Sequence, residues 1–69
     1  MININPYLTV YVVLMFDAQR NIFERYFEQG EIDDIWDRIE RNSDIEKAYF
    51  IEIRERYSME LIDSAEVEH

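Results

Sequence analysis

The sequence predicts an α+β fold: a small antiparallel three-stranded sheet with one helix, in the order strand, strand, helix, strand. Three observations predict it. Residues 7–16 are a run of β-branched and aromatic residues, the composition of a strand. Residues 22–28 and 48–57 are two further strand-like runs, the second alternating apolar Tyr49, Ile51, Ile53 and Tyr57 with more polar neighbours. Between them Ile32, Ile35, Trp36 and Ile39 recur at i, i+3, i+4 and i+7, the spacing of one helical face.

The first strand follows Pro6, which removes a backbone donor and favours an extended start. It does not alternate. Leu8, Val10, Val12, Leu14 and Phe16 share one side, and Tyr7, Tyr11, Val13 and Met15 the other. A strand apolar on both faces needs cover on both. One helix covers one face, and a symmetry mate is expected over the other. Residues 17–21 are polar and of hairpin-loop length. In the second strand Phe23, Arg25 and Phe27 lie on one side, and Ile22, Glu24, Tyr26 and Glu28 on the other. Gly30, the only glycine, ends it and lets the chain turn. Glu31, Asp33 and Asp34 then fall in the first helical turn and Arg38 and Arg41 in the last, as the helix dipole favours. Asn42, Ser43 and Asp44 stop the helix. The stretch 58–69 is acidic and weakly patterned, with Met59, Leu61 and Ile62, and reads as a frayed tail or a short extra element.

The 69 residues amount to one domain spanning 1–69, with its core at 7–57. Chains of this size usually need a staple. The chain has no cysteine, which excludes a disulfide and a thiolate metal site. A lone His69 cannot build a zinc site. Hydrophobic residues make up 48% of the chain, enough for a core and too many for a disordered segment. The remaining staple is self-association, so a homodimer is expected.

Sixteen acids against seven bases give a net charge of −9. Repulsion from phosphate opposes binding to nucleic acid or to an anionic membrane and favours a basic partner. The plainer reading is that the charge keeps a small protein soluble. The apolar run 7–16 is half the length of a membrane span, and no basic segment precedes it, so neither a membrane anchor nor a secretory signal is expected.

Carboxylates are plentiful, but the chemistry that would use them is not in place. Asp33, Asp37 and Glu40 share one helix flank, where nothing suggests the burial that splits the pKa values of an acid–base pair. No histidine, cysteine or serine stands as a partner nucleophile, the calcium-loop spacing is absent, and one glycine cannot make a phosphate cradle. The expectation is a protein that is not an enzyme and takes no metal, cofactor or small-molecule substrate.

Binding is left, and the helix is where it would occur. At roughly 100° per residue, Ile35, Ile39, Ile32 and Trp36 fill about a 100° arc with Trp36 at one edge. Glu40, Asp33 and Asp37 come next round the wheel. The one tryptophan therefore sits between an apolar face and an acidic one, the composition of an interface centre with a polar rim. By pattern alone the plainer reading is that Trp36 is core, with solvated acids around it.

Residues 7–57 resemble a family: the short, dimeric uracil-DNA glycosylase inhibitors carried by Bacillus phages with protein-primed replication. The similar features are the aliphatics Val10, Val12 and Leu14, the acidic turn at Asp17, the strand with Tyr26, Phe27 and Glu28, then Gly30. Trp36 followed by Asp37, then Asn42, then Ile51 and Ile53 complete the pattern. The resemblance implies a homodimer with the helices near its axis, seated in the glycosylase's DNA-binding groove. It implies that an aromatic at Trp36 helps enclose the apolar side chain that the enzyme drives into the minor groove, and that Asp37 takes contacts a DNA phosphate would make. The family has phenylalanine where this chain has Trp36, and tyrosine where it has Glu40, so Ile32, Ile35 or Ile39 are expected to supply part of the pocket wall. Host cytoplasm is the implied location. The alternatives are another phage DNA mimic, aimed at a CRISPR effector or a restriction enzyme, and an acidic structural or adaptor protein.

Overall fold

A computed structural model of the chain describes residues 9–69. Among these residues four antiparallel strands, β1 (Val10–Phe16), β2 (Ile22–Gln29), β3 (Phe50–Glu55) and β4 (Leu61–Glu66), form one sheet in the order β2-β1-β3-β4. Among the described residues the single α-helix, α1 (Ile32–Arg41), joins β2 to β3 and is followed by a 3₁₀ turn, Ser43–Lys47. Strand, strand, helix and strand follow one another as the sequence predicts. The three-stranded expectation is corrected by β4, which occupies part of the stretch 58–69. Tyr7 and Leu8, counted with the first strand by composition, lie outside the described residues.

The β1–β2 hairpin is closed by its own acid. The Asp17 carboxylate accepts from the backbone N–H groups of Gln19 and Asn21 at 2.9 and 2.8 Å, and Arg20 takes a positive φ of 65°. The β3–β4 hairpin repeats the device. Glu55 Oε2 accepts from the N–H groups of Tyr57 and Ser58 at 2.8 and 2.6 Å, and Met59 takes φ 60°. Neither loop uses glycine at its left-handed position, where glycine would meet no steric cost. Tyr57, expected as an inward residue of the third strand, lies in this second loop and is 80% exposed.

Gly30 has φ +115°, a conformation that residues with a Cβ rarely adopt, and it turns β2 into α1 as expected. Glu31 is the N-cap rather than a first-turn residue, and its carbonyl accepts from the Ile35 N–H at 3.0 Å. The helix ends at Asn42, whose side chain accepts from the Asp44 N–H at 2.9 Å and starts the 3₁₀ turn.

The core lies between α1 and one face of the sheet. Val13 and Met15 of β1, Ile51 and Ile53 of β3, and Ile35 and Ile39 of α1 are buried there with Ala48. Tyr11, Tyr26, Ile32, Trp36, Ile45 and Val67 pack round them, half-buried. Burying one such aliphatic side chain contributes about 1.5–3 kcal/mol. Val12 and Leu14 point to the other face and are also buried. In register, Val12 lies between Phe27 and Arg54, and Leu14 between Arg25 and Glu52. Long side chains of this kind lie over their shorter neighbours. Among the described residues, no second layer covers that face.

Candidate functional site

The helix presents its acids outward. Asp33, Asp34, Asp37 and Glu40 are all exposed. With 3.6 residues per turn, Asp33, Asp37 and Glu40 fall within about 60° of arc and Asp34 about 60° further round. Four carboxylates thus follow one another over roughly 10.5 Å of helix axis. Arg41, one turn beyond Asp37, closes the C-terminal end of this face. Arg38 is drawn away from it. Its Nε donates to Glu28 Oε1 at 3.1 Å and its Nη2 to the Gln29 carbonyl at 2.9 Å, clamping α1 to the end of β2. Among the described residues the ion pairs are Arg38–Glu28 and Arg54–Glu52, so no acid of the helix face is held by a base.

The apolar candidates separate into two groups. Ile35 and Ile39 are 0% exposed and present nothing to a partner. Ile32 and Trp36 are half-buried against the same core and keep an exposed flank. Trp36 is therefore a border residue, and its indole N–H donates to Asp63 Oδ2 of β4 at 2.8 Å. That bond fixes the ring and satisfies its only donor. Asp63 was not anticipated from the sequence. It lies in a weakly patterned stretch, and the flanking Leu61 and Ile62 are the one signal that an element was there.

Other surfaces offer less chemistry. A cleft of about 280 Å³ beside β3 and β4 is lined by Arg20, Phe50, Glu52, Ser64 and Glu66. It falls below the range of about 300–1,000 Å³ usual for small-molecule sites. Among the described residues no group of three metal-ligating side chains comes together, and no helix is long and apolar enough to cross a membrane. The Tyr26 hydroxyl is pushed up from its ordinary pKa of 10.0 by burial, against the opposing hydrogen bond from Asn42. It faces the core side of β2 and not the acidic face.

No family model, no curated protein and no solved structure matches the chain.

Proposed function

We propose that the chain is a non-enzymatic inhibitor of uracil-DNA glycosylase, a DNA mimic that works in the host cytoplasm by occupying the enzyme's DNA-binding groove. One observation carries the reading: the carboxylates of Asp33, Asp34, Asp37 and Glu40 on the outer face of α1, which no base among the described residues pairs. Four charges over roughly 10.5 Å of axis are separated by roughly 1.5, 4.5 and 4.5 Å, about 3.5 Å on average. A single strand of B-DNA carries one charge per about 3.4 Å. A groove built for phosphates therefore meets a similar linear charge density. The sequence resemblance supplies the target. Asp37 takes phosphate contacts, and Trp36 with Ile32 flanks the apolar side chain that the enzyme inserts. Ile35 and Ile39 belong to the core, so they support that wall from behind. The protein acts as a homodimer.

Uracil excision from a synthetic duplex tests this, with and without a stoichiometric amount of the chain. Excision is expected to stop. Undiminished excision by a bacterial glycosylase overturns the reading. Combining Asp33→Asn, Asp37→Asn and Glu40→Gln is expected to restore excision while the circular dichroism spectrum stays native.

The Trp36–Asp63 bond favours a second reading. A tryptophan already anchored leaves charge as the main recognition element, and charge alone suits other DNA-binding enzymes, such as a CRISPR effector or a restriction enzyme. Inhibition of one of these with unaffected uracil excision selects this reading. An adaptor that is acidic only for solubility inhibits none of them.

A further inference from the structure

Among the described residues two strands have one side open, β2 and β4. Free edges are commonly guarded by basic side chains or proline. β2 has Arg25 between Glu24 and Glu28. β4 carries Asp63 and Glu66, no base and no proline, and all six of its residues are exposed. Ladder bonds alternate along an antiparallel strand. The Val67 N–H donates to the Tyr49 carbonyl at 3.0 Å, so in register the backbones of Ala65 and Asp63 also turn toward β3, and those of Ser64 and Glu66 turn outward. The Ser64 N–H donates instead to Asp63 Oδ1 at 2.9 Å, a substitute for the carbonyl that a neighbouring strand would offer.

The bonds from Trp36 to Asp63 and from Arg38 to Glu28 fix how α1 is turned: Trp36 faces β4 and Arg38 faces β2. At 3.6 residues per turn, Glu40, Asp33 and Asp37 continue round from Trp36 away from the core. They therefore stand on the side of the molecule where β4 is open. Asp63, on the same face of the sheet, adds a fourth acid, and among the described residues no base pairs with any of the four. An open backbone edge, an acidic flank and the exposed side of Trp36 thus lie together.

We propose that the open edge of β4 receives an extended basic segment of a partner protein, which extends the sheet by one strand beside α1. Backbone groups of the segment pair with Ser64 and Glu66. Its lysine or arginine side chains on the helix side meet Asp63 and the flank of Asp33, Asp37 and Glu40. The incoming carbonyl takes the Ser64 N–H from Asp63 Oδ1 and frees that oxygen for a basic side chain. The exposed side of Trp36 lies next to this path, and an aromatic face attracts a cation. In strand addition the backbone bonds give affinity and the alternate side chains give selectivity. A second copy of this chain is a poor occupant, because two β4 edges set Asp63 and Glu66 against their own kind. Nucleic acid is repelled by the same acids. The proposal rests on the reading of the helix flank as a protein-binding surface and is independent of which enzyme carries the segment.

A short synthetic peptide alternating lysine and valine is the probe, titrated against the whole chain and followed by Trp36 fluorescence and amide exchange. Binding is expected to slow exchange at Ser64 and Glu66 at least about tenfold and to weaken as salt is added. The same peptide with its backbone nitrogens methylated keeps its charge and loses its donors, and is expected to bind at least about tenfold less tightly. Ser64→Pro removes the outward N–H and no ladder bond, so it is expected to weaken binding while circular dichroism and exchange at Val67 stay native. A peptide that does not bind overturns the proposal. So does one that binds with Ser64 and Glu66 unprotected, or equally well when methylated, because charge alone then holds it. Equal binding of a peptide with glutamate in place of lysine overturns the basic partner. Protection of Ser64 and Glu66 that rises with chain concentration alone assigns the edge to a second copy and overturns the proposal too. No glycosylase enters these measurements, so their failure is separable from the outcome of the uracil-excision assay.

Discussion

The indole N–H of Trp36 donates to the Asp63 carboxylate at 2.8 Å, tying the middle of α1 to the middle of β4 across 27 residues of sequence. The edge strand has few other holds. All six of its residues are exposed, so little apolar burial keeps it on β3. Beyond the ladder, the chain after β4 is tied back by the Val67 N–H to the Tyr49 carbonyl at 3.0 Å. His69 stacks on Tyr49 at 4.3 Å and reaches the Ala48 carbonyl at 2.7 Å. Polar contacts thus stabilise the edge strand where a hydrophobic face is lacking.

Asp63→Ala removes the acceptor and leaves Trp36 in place. A hydrogen bond to a charged group contributes about 1.5–3 kcal/mol when buried, and less at this exposed site. A loss of about 1 kcal/mol lowers Tm by roughly 4–8 °C in a domain of this size. Trp36→Phe keeps most of the ring and removes the donor. The two substitutions share one interaction, so the double variant is expected to lose less than the sum of the singles. Thermal unfolding of the four chains measures this. Additive losses mean that the bond contributes nothing to stability.

The four-residue helical spacing made α1 legible, because Ile32, Ile35, Trp36 and Ile39 have one periodicity and one neighbour, the sheet. The two apolar phases of β1 were legible for the same reason, and Val12 and Leu14 are indeed buried on the face opposite Val13 and Met15. β4 was not legible. Its residues Leu61, Ile62, Asp63, Ser64, Ala65 and Glu66 have no inward phase, since none is buried. Its hairpin hides the usual signal, because Met59 holds the positive φ that glycine or asparagine would advertise. A break in register between Ile53 and Arg54 also shifts the pairing. The acids Asp33, Asp37 and Glu40 were correctly placed on one flank of the helix. The bond that fixes Trp36 was not readable, because it needs β4 to exist first.

Ile39→Ala is expected to act through the fold and not through a binding surface. Ile39 is fully buried, and truncating such a residue costs about 2–5 kcal/mol. Ile32→Ala, at a half-buried position, is expected to cost less. Urea unfolding checks the order. An Ile39→Ala chain as stable as the Ile32→Ala chain overturns the assignment of Ile39 to the core.

Gly30→Ala tests conformation apart from space. A Cβ added there meets only the Arg38 Nη2 at 3.8 Å, an ordinary contact. The backbone, at φ +115°, is what an L side chain resists. Backbone strain of this kind costs about 1–3 kcal/mol. A Tm reduction is expected for Gly30→Ala even when combined with Arg38→Ala, which clears the neighbouring side chain. If removing Arg38 abolishes the Gly30→Ala effect, contact and not φ is responsible.

The β3–β4 hairpin predicts a response to acid. The Glu55 carboxyl is held below its ordinary pKa of 4.5, first by the hydrogen bond from the Ser58 N–H and then by the Ser58 hydroxyl, the Tyr57 N–H and the Arg56 charge. A carboxyl whose pKa falls on folding contributes stability that is fully present above its unfolded value and is lost as pH drops through the folded one. The hairpin is therefore expected to hold from neutral pH down to the ordinary glutamate range and to loosen only below it. Glu55→Gln replaces a charged acceptor with a neutral one that also carries donors, so the loop is weakened at every pH and its response below 4.5 flattens. Amide exchange at Tyr57 and Ser58, followed in both chains as pH is lowered, reads the loop directly. Equal acid responses in the two chains mean that another carboxylate controls the transition.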